Sequence, residues 1–222
     1  MYMEQDSSRL RRFLISGIIF VLIAAMIMAN SVAFQLFDSM LQGFFVTDSQ
    51  TSFKTLVMTI VSALGSPKMA VVYVVIIAFL LWGFKYKIPA IWAIATLGSG
   101  DVVAFLVKNV VKRARPAQHL AGDDGFSFPS GHVFGMFIIA AILFLVVIPN
   151  IQRGLWRLLC QILIVIFLIL LAISRVYLYA HYPSDVIGAM LLAYTWVQVA
   201  EWLYVWFAPI LKRWKFVANS QI

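Results

Sequence analysis

Six apolar runs, each close to the length of a bilayer crossing, constrain this chain more than any other feature. They start with the stretch from Phe13 and continue at Pro67–Phe84, Ile88–Val107, His132–Ile148, Leu158–Ile173 and Val186–Phe207. A helix needs about 20 apolar residues to cross the hydrocarbon. None of the runs has the short period-two alternation of a barrel strand, and a helix satisfies its backbone hydrogen bonds internally. The expected fold is an all-α membrane protein, a six-transmembrane-helix bundle, with residues 1–222 forming one membrane-embedded domain. Composition excludes a soluble monomer: 63% of the residues are hydrophobic and 12% charged, where soluble domains carry roughly a quarter charged residues.

The first run follows Arg9, Arg11 and Arg12 and so imitates a signal peptide. It is long enough to span, and no small-x-small cleavage pattern follows at Asn30-Ser31-Val32, so a retained first span is expected. An even number of crossings puts both termini on one side. Ten of the 17 Lys and Arg residues fall there, at Arg9, Arg11, Arg12, Lys85, Lys87, Arg153, Arg157, Lys212, Arg213 and Lys215. Because basic residues gather on the cytoplasmic side, the termini are expected inside. The net charge of +8 then reflects topology and calls for no nucleic-acid partner. The single cysteine, Cys160, can form no internal disulfide and reads as a packing residue. No sequence signal sets an oligomeric state.

Between the first two spans, Phe37, Met40, Leu41 and Phe44 recur at helical spacing, interrupted by Gln35, Asp38 and Gln42. Phe34–Phe45 is therefore expected as an interfacial helical segment on the outer face. Thr55–Leu64 is too short to span alone and is expected to extend that outer layer.

Three polar clusters break the apolar pattern. Lys108-Asn-Val-Val-Lys-Arg-Ala-Arg115-Pro116 closes the third span, and Phe128-Pro129-Ser130-Gly131-His132 opens the fourth. Ser174-Arg175 through His181-Tyr182-Pro183-Ser184-Asp185 joins the fifth to the sixth. A short loop joins the first two clusters, and two further crossings bring the third back to the same side. Parity alone therefore gathers them on one face, and the charge count makes that face extracytoplasmic.

Their chemistry suits a polyvalent anion. Lys108, Arg115 and Arg175 supply three cations, and an Arg fork matches phosphate oxygens. Ser130 fits an N-cap and Pro183 a first helical position, so two helix N-termini are expected to aim N–H groups at the pocket. Gly131 has no side chain to obstruct that approach. His181 precedes Asp185 by four residues, so a carboxylate can hold one imidazole nitrogen while the other attacks phosphorus. His132 can protonate a departing oxygen. These residues alone do not assign which histidine attacks. Nothing in the pattern offers a Mg or Zn site, so no cofactor is expected.

The blocks K-x6-RP, PSGH and SR-x5-H-x3-D, complete and in order, resemble those of the type 2 phosphatidic acid phosphatase superfamily. The resemblance implies that Lys108, Arg115, Ser130, Gly131 and Arg175 bind phosphate. It implies His181 as nucleophile, Asp185 as its orienting partner and His132 as general acid. The implied reaction is hydrolysis of a membrane lipid phosphomonoester or diphosphate through a phospho-histidine. Undecaprenyl diphosphate, phosphatidylglycerophosphate and phosphatidic acid are the candidate substrates. Two rival functions share the residues. A vanadium-dependent haloperoxidase uses the same anion pocket but needs no spans, and a lipid-phosphate transporter needs no paired histidines.

Other polar residues have plainer readings. Lys54 and Lys68 suit anchors at span ends. Lys112 and Arg113 border the pocket and fit an anchor or a site role equally. His119, ahead of Asp123-Asp124, reads as a solvated loop residue, and Glu201 is expected near the inner interface. Asp101, an intramembrane carboxylate, is open to a functional or a packing role. Trp202, Tyr204 and Trp206 read as an aromatic belt.

Overall fold

The computed structural model describes Met3 and residues 6–46, 51–119 and 124–221. Asp123 lies outside the described residues. Among these residues eight α-helices run in order: α1 (Arg9–Met28), α2 (Val32–Phe45), α3 (Ser52–Leu64), α4 (Pro67–Gly83), α5 (Lys87–Val111), α6 (Gly131–Ile142), α7 (Gly154–Tyr177) and α8 (Pro183–Leu211). No strand occurs among the described residues.

Among the described residues, five single segments are long and apolar enough to cross a membrane, α1, α5, α6 with its continuation to Asn150, α7 and α8, and α3 with α4 makes a sixth. The second span of the sequence reading corresponds to α4. It runs from Pro67, beside Gly131 at the N-terminus of α6, to Trp82, whose ring meets Phe216 at 5.0 Å at the opposite end. α4 bends from α3 by 50°. The bend falls where Gly65 and Ser66 interrupt the helix. Ser66 accepts a hydrogen bond from the Met69 N–H at 3.4 Å, and Pro67 occupies the first helical position. Thr55–Leu64 lies beside the site end of α7, where the Thr55 and Tyr177 hydroxyls hydrogen-bond at 3.1 Å and Arg175 donates to Ser62. α6 widens into a π turn over Leu143–Val147 just ahead of Pro149, whose ring and missing N–H disturb the helix.

In lipid the apolar surface gives no net drive for helix association, so close packing must supply it. α8 runs through the middle of the bundle and packs on α1, α5 and α6. Small residues allow the approach: Ala93, Ala189 and Ala193 are fully buried. A Cβ on Gly135 would come within 3.3 Å of Ala70, which brings α6 close to α4. Large apolar residues such as Phe79, Phe105 and Leu163 point outward, as a lipid-facing surface requires.

The two ends of the bundle differ. At one end Arg9 pairs with Glu201 at 2.9 Å, and Lys87 donates to the Phe216 carbonyl at 2.9 Å, so the N- and C-terminal segments meet there. The three polar clusters meet at the other end, as crossing parity requires. Tyr204 departs from the belt reading. It is buried and makes an edge contact with Trp92 at 6.0 Å, whereas Trp206 is exposed.

Candidate active site

Each cluster reaches the site through a specific break in its helix. α5 stops because Lys112 takes a left-handed conformation (φ 50°), which turns the following segment across the end of the bundle. The Ser127 N–H donates to the Arg113 carbonyl at 2.8 Å and the Ser127 hydroxyl to that of Ala114 at 3.0 Å, which pins the returning chain beside it. Lys108 donates to the Phe126 carbonyl at 2.9 Å. Arg115 donates to the carbonyls of Gly125 (3.0 Å), Asp124 (2.9 Å) and Ala180 (2.7 Å). Gly125 sits at φ +75°, a conformation that favours glycine.

Phe128-Pro129-Ser130 then leads into α6. The Ser130 N–H donates to the Asp185 carbonyl at 3.3 Å, which joins the second cluster to the third. The Ser130 hydroxyl is fully buried, caps no N–H and has no hydrogen-bond partner among the described residues. A Cβ on Gly131 would meet only Pro67, at an ordinary 3.8 Å, so the approach to this helix end is open. His132 is half-buried in the first turn of α6.

After α7, Tyr179 at φ 55° reverses the chain, and the Ala180 and His181 N–H groups both donate to the Arg175 carbonyl at 3.1 Å. Arg175 is buried and donates to the Ser62 hydroxyl on α3. His181 and Asp185 are 1% and 0% exposed, so neither is a surface group. The Nδ1 atom of His181 lies 3.6 Å from Asp185 Oδ2, close enough for charge attraction but long for a hydrogen bond. The same carboxylate oxygen accepts the Tyr182 N–H at 2.9 Å. On the opposite edge of the ring, Nε2 lies 3.4 Å from Arg115 Nη1. With the proton on Nδ1 toward the carboxylate, Nε2 keeps its lone pair on the cation-bearing side.

Burial pushes the His181 imidazole down to about 4 from the usual 6.5, and Arg175 and Arg115 act in the same direction against the pull of Asp185. The ring is therefore neutral at ordinary pH, the form that can attack phosphorus.

The structure brings together Lys108, Arg115, Ser130, Arg175, His181 and Asp185 through these contacts, with Gly131 and His132 next in the chain. It also departs from the expected arrangement in one respect. The N-terminus of α8 is not an open anion seat, because carboxylates already hold its N–H groups. Asp185 takes the Tyr182 N–H, and Asp38 from α2 takes the Ser184 N–H at 2.8 Å. A helix N-terminus favours negative charge, and Asp38 supplies it from within the chain. The α6 terminus, by contrast, is open at Gly131.

Asp38 and Ser62 are absent from the sequence-based set. The signal for Asp38 was its isolation, since it is the sole charged residue of α2. Its buried position places the polar side of α2 inward, while Met40 and Phe44 are each 75% exposed. Arg113 proves to be a site residue too, bonded to Asp185 at 2.6 Å and to Asp38 at 2.6 Å. Among the described residues, His119 bonds through its side chain to the Pro116 carbonyl, at 2.7 Å, as a loop residue would.

Clustered cations, a neutral histidine backed by a carboxylate, and membrane-spanning helices together define a membrane-embedded enzyme that acts on a polyanionic group. Residues 89–209 match the PAP2 superfamily, and the chain belongs to it. It is a lipid phosphatase with several membrane spans. Over 140 residues the chain is 27% identical to phosphatidylglycerophosphatase B of Bacillus subtilis (strain 168), covering 61% of this chain and 68% of that protein. The fold is similar to the crystal structure of a transmembrane PAP2-type phosphatidylglycerolphosphate phosphatase from Bacillus subtilis. That match has a TM-score of 0.76 at 23% identity and covers 92% of this chain and 99% of the other. LpxE from Aquifex aeolicus matches with a TM-score of 0.53 at 20% identity, over 74% of this chain and 92% of that one.

Proposed function

We propose that this protein hydrolyses a lipid phosphomonoester or diphosphate through a phospho-histidine intermediate formed on His181. One observation carries the assignment of the nucleophile: His181 has Asp185 behind Nδ1 and Arg115 beside Nε2. An attacking nitrogen needs its lone pair facing the bound phosphate, and this placement supplies it.

Lys108, Arg115, Arg175, the Ser130 hydroxyl and the α6 N-terminus at Gly131 hold the phosphoryl oxygens and balance their charge as it builds. His181 Nε2 forms a bond to phosphorus while the bond to the lipid oxygen breaks, and His132 gives that oxygen a proton. Asp185 stabilises the positive charge that develops on the His181 ring. Water then attacks the phospho-histidine and passes a proton back to His132. Inorganic phosphate leaves, and His181 is neutral again.

In this reading residues 1–222 are a single membrane-embedded domain. The site faces the extracytoplasmic side, and the termini, with most of the Lys and Arg residues, lie in the cytoplasm. α2 rests at the outer membrane face with Met40 and Phe44 toward lipid. Undecaprenyl diphosphate, phosphatidylglycerophosphate and phosphatidic acid are the candidate substrates. The Bacillus subtilis relative, phosphatidylglycerophosphatase B, favours phosphatidylglycerophosphate.

The test compares kcat/KM for these three lipids with purified protein in detergent micelles, alongside His181→Ala. The wild type is expected to release phosphate from at least one of them, and the variant from none. An alkali-stable, acid-labile phosphorylated protein should accumulate after rapid alkaline quenching. Phosphate release by His181→Ala at more than about one-hundredth of the wild-type rate would remove His181 from the nucleophile's role.

A further inference from the structure

We propose that Arg113 and Asp38 are positioning residues that fix the Asp185 carboxylate, and through it the attacking edge of His181, so that the α2 helix is part of the catalytic apparatus. The case rests on geometry. Arg113 uses the two arms of its guanidinium on two carboxylates from different helices. Nη1 donates to Asp185 Oδ1 at 2.6 Å, and Nη2 donates to Asp38 Oδ2 at 2.6 Å. Asp38 in turn accepts the Ser184 N–H at 2.8 Å and the Ser184 hydroxyl at 2.7 Å. Arg113 also donates to that hydroxyl at 2.7 Å and stacks over the Tyr182 ring at 4.1 Å. These contacts enclose the first turn of α8.

Each group has one task in this arrangement. Asp185 has two oxygens: Oδ2 serves His181 and the Tyr182 N–H, so Oδ1 is the one available to fix the rotation of the carboxylate. A short charge-assisted bond from a planar cation fixes such a rotation well. Arg113 is itself unable to swing away, because Asp38 holds its other arm. Asp38 and Asp185 together hold the Arg113 proton more tightly than usual despite its burial. A simple span-end anchor would extend its charge into water, and Arg113 does the reverse.

The charge balance has a further effect. The charged and titratable groups on the elements around His181 are Asp185 and Tyr182 at the head of α8, Arg175 on α7 and Lys108 ending α5. Arg113 and Arg115 follow α5, His132 heads α6, and Asp38 reaches in from α2. Removing the Arg113 cation makes Asp185 a stronger acceptor, so His181 should protonate more readily. Removing the Asp38 charge cannot have that effect, since it takes away a negative charge. The two substitutions therefore act in opposite electrostatic directions on one histidine, although both break the same network.

The experiment uses the full-length protein in detergent micelles, with Arg113→Gln, Arg113→Lys and Asp38→Asn. The His181 titration is followed by NMR of the imidazole and by the acid limb of kcat/KM. The kinetic arm rests on the hydrolase reading; the NMR arm does not. Arg113→Gln should lower kcat by about tenfold to a hundredfold, the cost that losing the outer partner of a ligating histidine carries in metal sites. KM should change little, because no phosphate-binding group is lost. The same variant should raise the His181 titration by about half a unit or more. Arg113→Lys keeps the charge but not the fork, so the titration should stay near wild type while kcat remains low. Asp38→Asn should lower kcat and leave the titration where it is, or move it down. An upward shift in both Arg113→Gln and Asp38→Asn would mean that loosening and water entry govern His181, and would overturn the proposal. So would wild-type kcat in Arg113→Gln. A wild type that cleaves no lipid phosphate would sink the hydrolase reading, and the NMR titrations would still decide the role of Arg113 and Asp38.

Discussion

Gly188 lies one turn beyond Asp185 on α8, against the ring of Phe128. A Cβ added there would lie 2.3 Å from Phe128 Cε2 and 2.6 Å from Cζ. Carbon atoms settle at about 3.5–4.0 Å, so the ring must retreat by roughly 1.3 Å. It has little room, being fully buried and stacked on Phe20 with centroids 5.8 Å apart. Overpacking of this kind costs about 1–3 kcal/mol, and alanine returns about 1 kcal/mol by its better helix propensity. Gly188→Ala should therefore destabilise the fold by no more than about 2 kcal/mol. Its effect on turnover should be larger. Phe128 is joined through Pro129 to Ser130 and Gly131, so the displaced ring moves the phosphate seat. A misplacement of about 1 Å can cost on the order of a hundredfold in rate. Initial rates in mixed micelles and thermal unfolding of the same preparation separate the two effects. Gly98→Ala is the control, because nothing lies within 4 Å of its added Cβ. Phe128→Leu in the Gly188→Ala background should recover part of the loss. If Gly188→Ala turns over within twofold of wild type, the tight approach of α8 to the Phe128 loop does not hold the site in place.

Four further outcomes are expected. The acid limb of kcat/KM should lie well below the usual histidine value of 6.5, toward about 4, since His181 must be neutral to attack. Stability should follow the same group: the unfolded chain takes up a proton near 6.5 and the folded one only near 4, so stability falls as pH drops across that window. An acid limb at or above 6.5 would contradict the buried setting of His181. Arg9→Met should destabilise the protein by about 3–5 kcal/mol by leaving Glu201 buried without its partner. The Arg9→Met/Glu201→Met pair should regain most of that in thermal unfolding, with kcat unchanged because the pair sits at the far end of the bundle. Phosphate release should persist in excess EDTA, and a loss reversed by magnesium would assign a metal to the mechanism.

Hydropathy located the spanning helices because the bilayer imposes one length and one chemistry on every crossing, whatever the neighbours. Its error falls where local signals compete. Tyr204 carries the composition of an interfacial ring, but its helix face turns toward Trp92. Such rotations depend on packing between helices, which a single run of sequence does not encode.

The sequence by itself determined the membrane setting, the gathering of three polar clusters at one end, and the cations and histidines they carry. Those follow from run length, crossing parity and residue type. Only the tertiary structure decided which edge of His181 faces Asp185 and which faces Arg115. It alone showed that Asp38, far away in sequence, caps α8 and grips Arg113. The reason is physical. A carboxylate in a short amphipathic helix looks the same in sequence whether it faces water or a buried guanidinium, and the choice is made by the elements that pack around it.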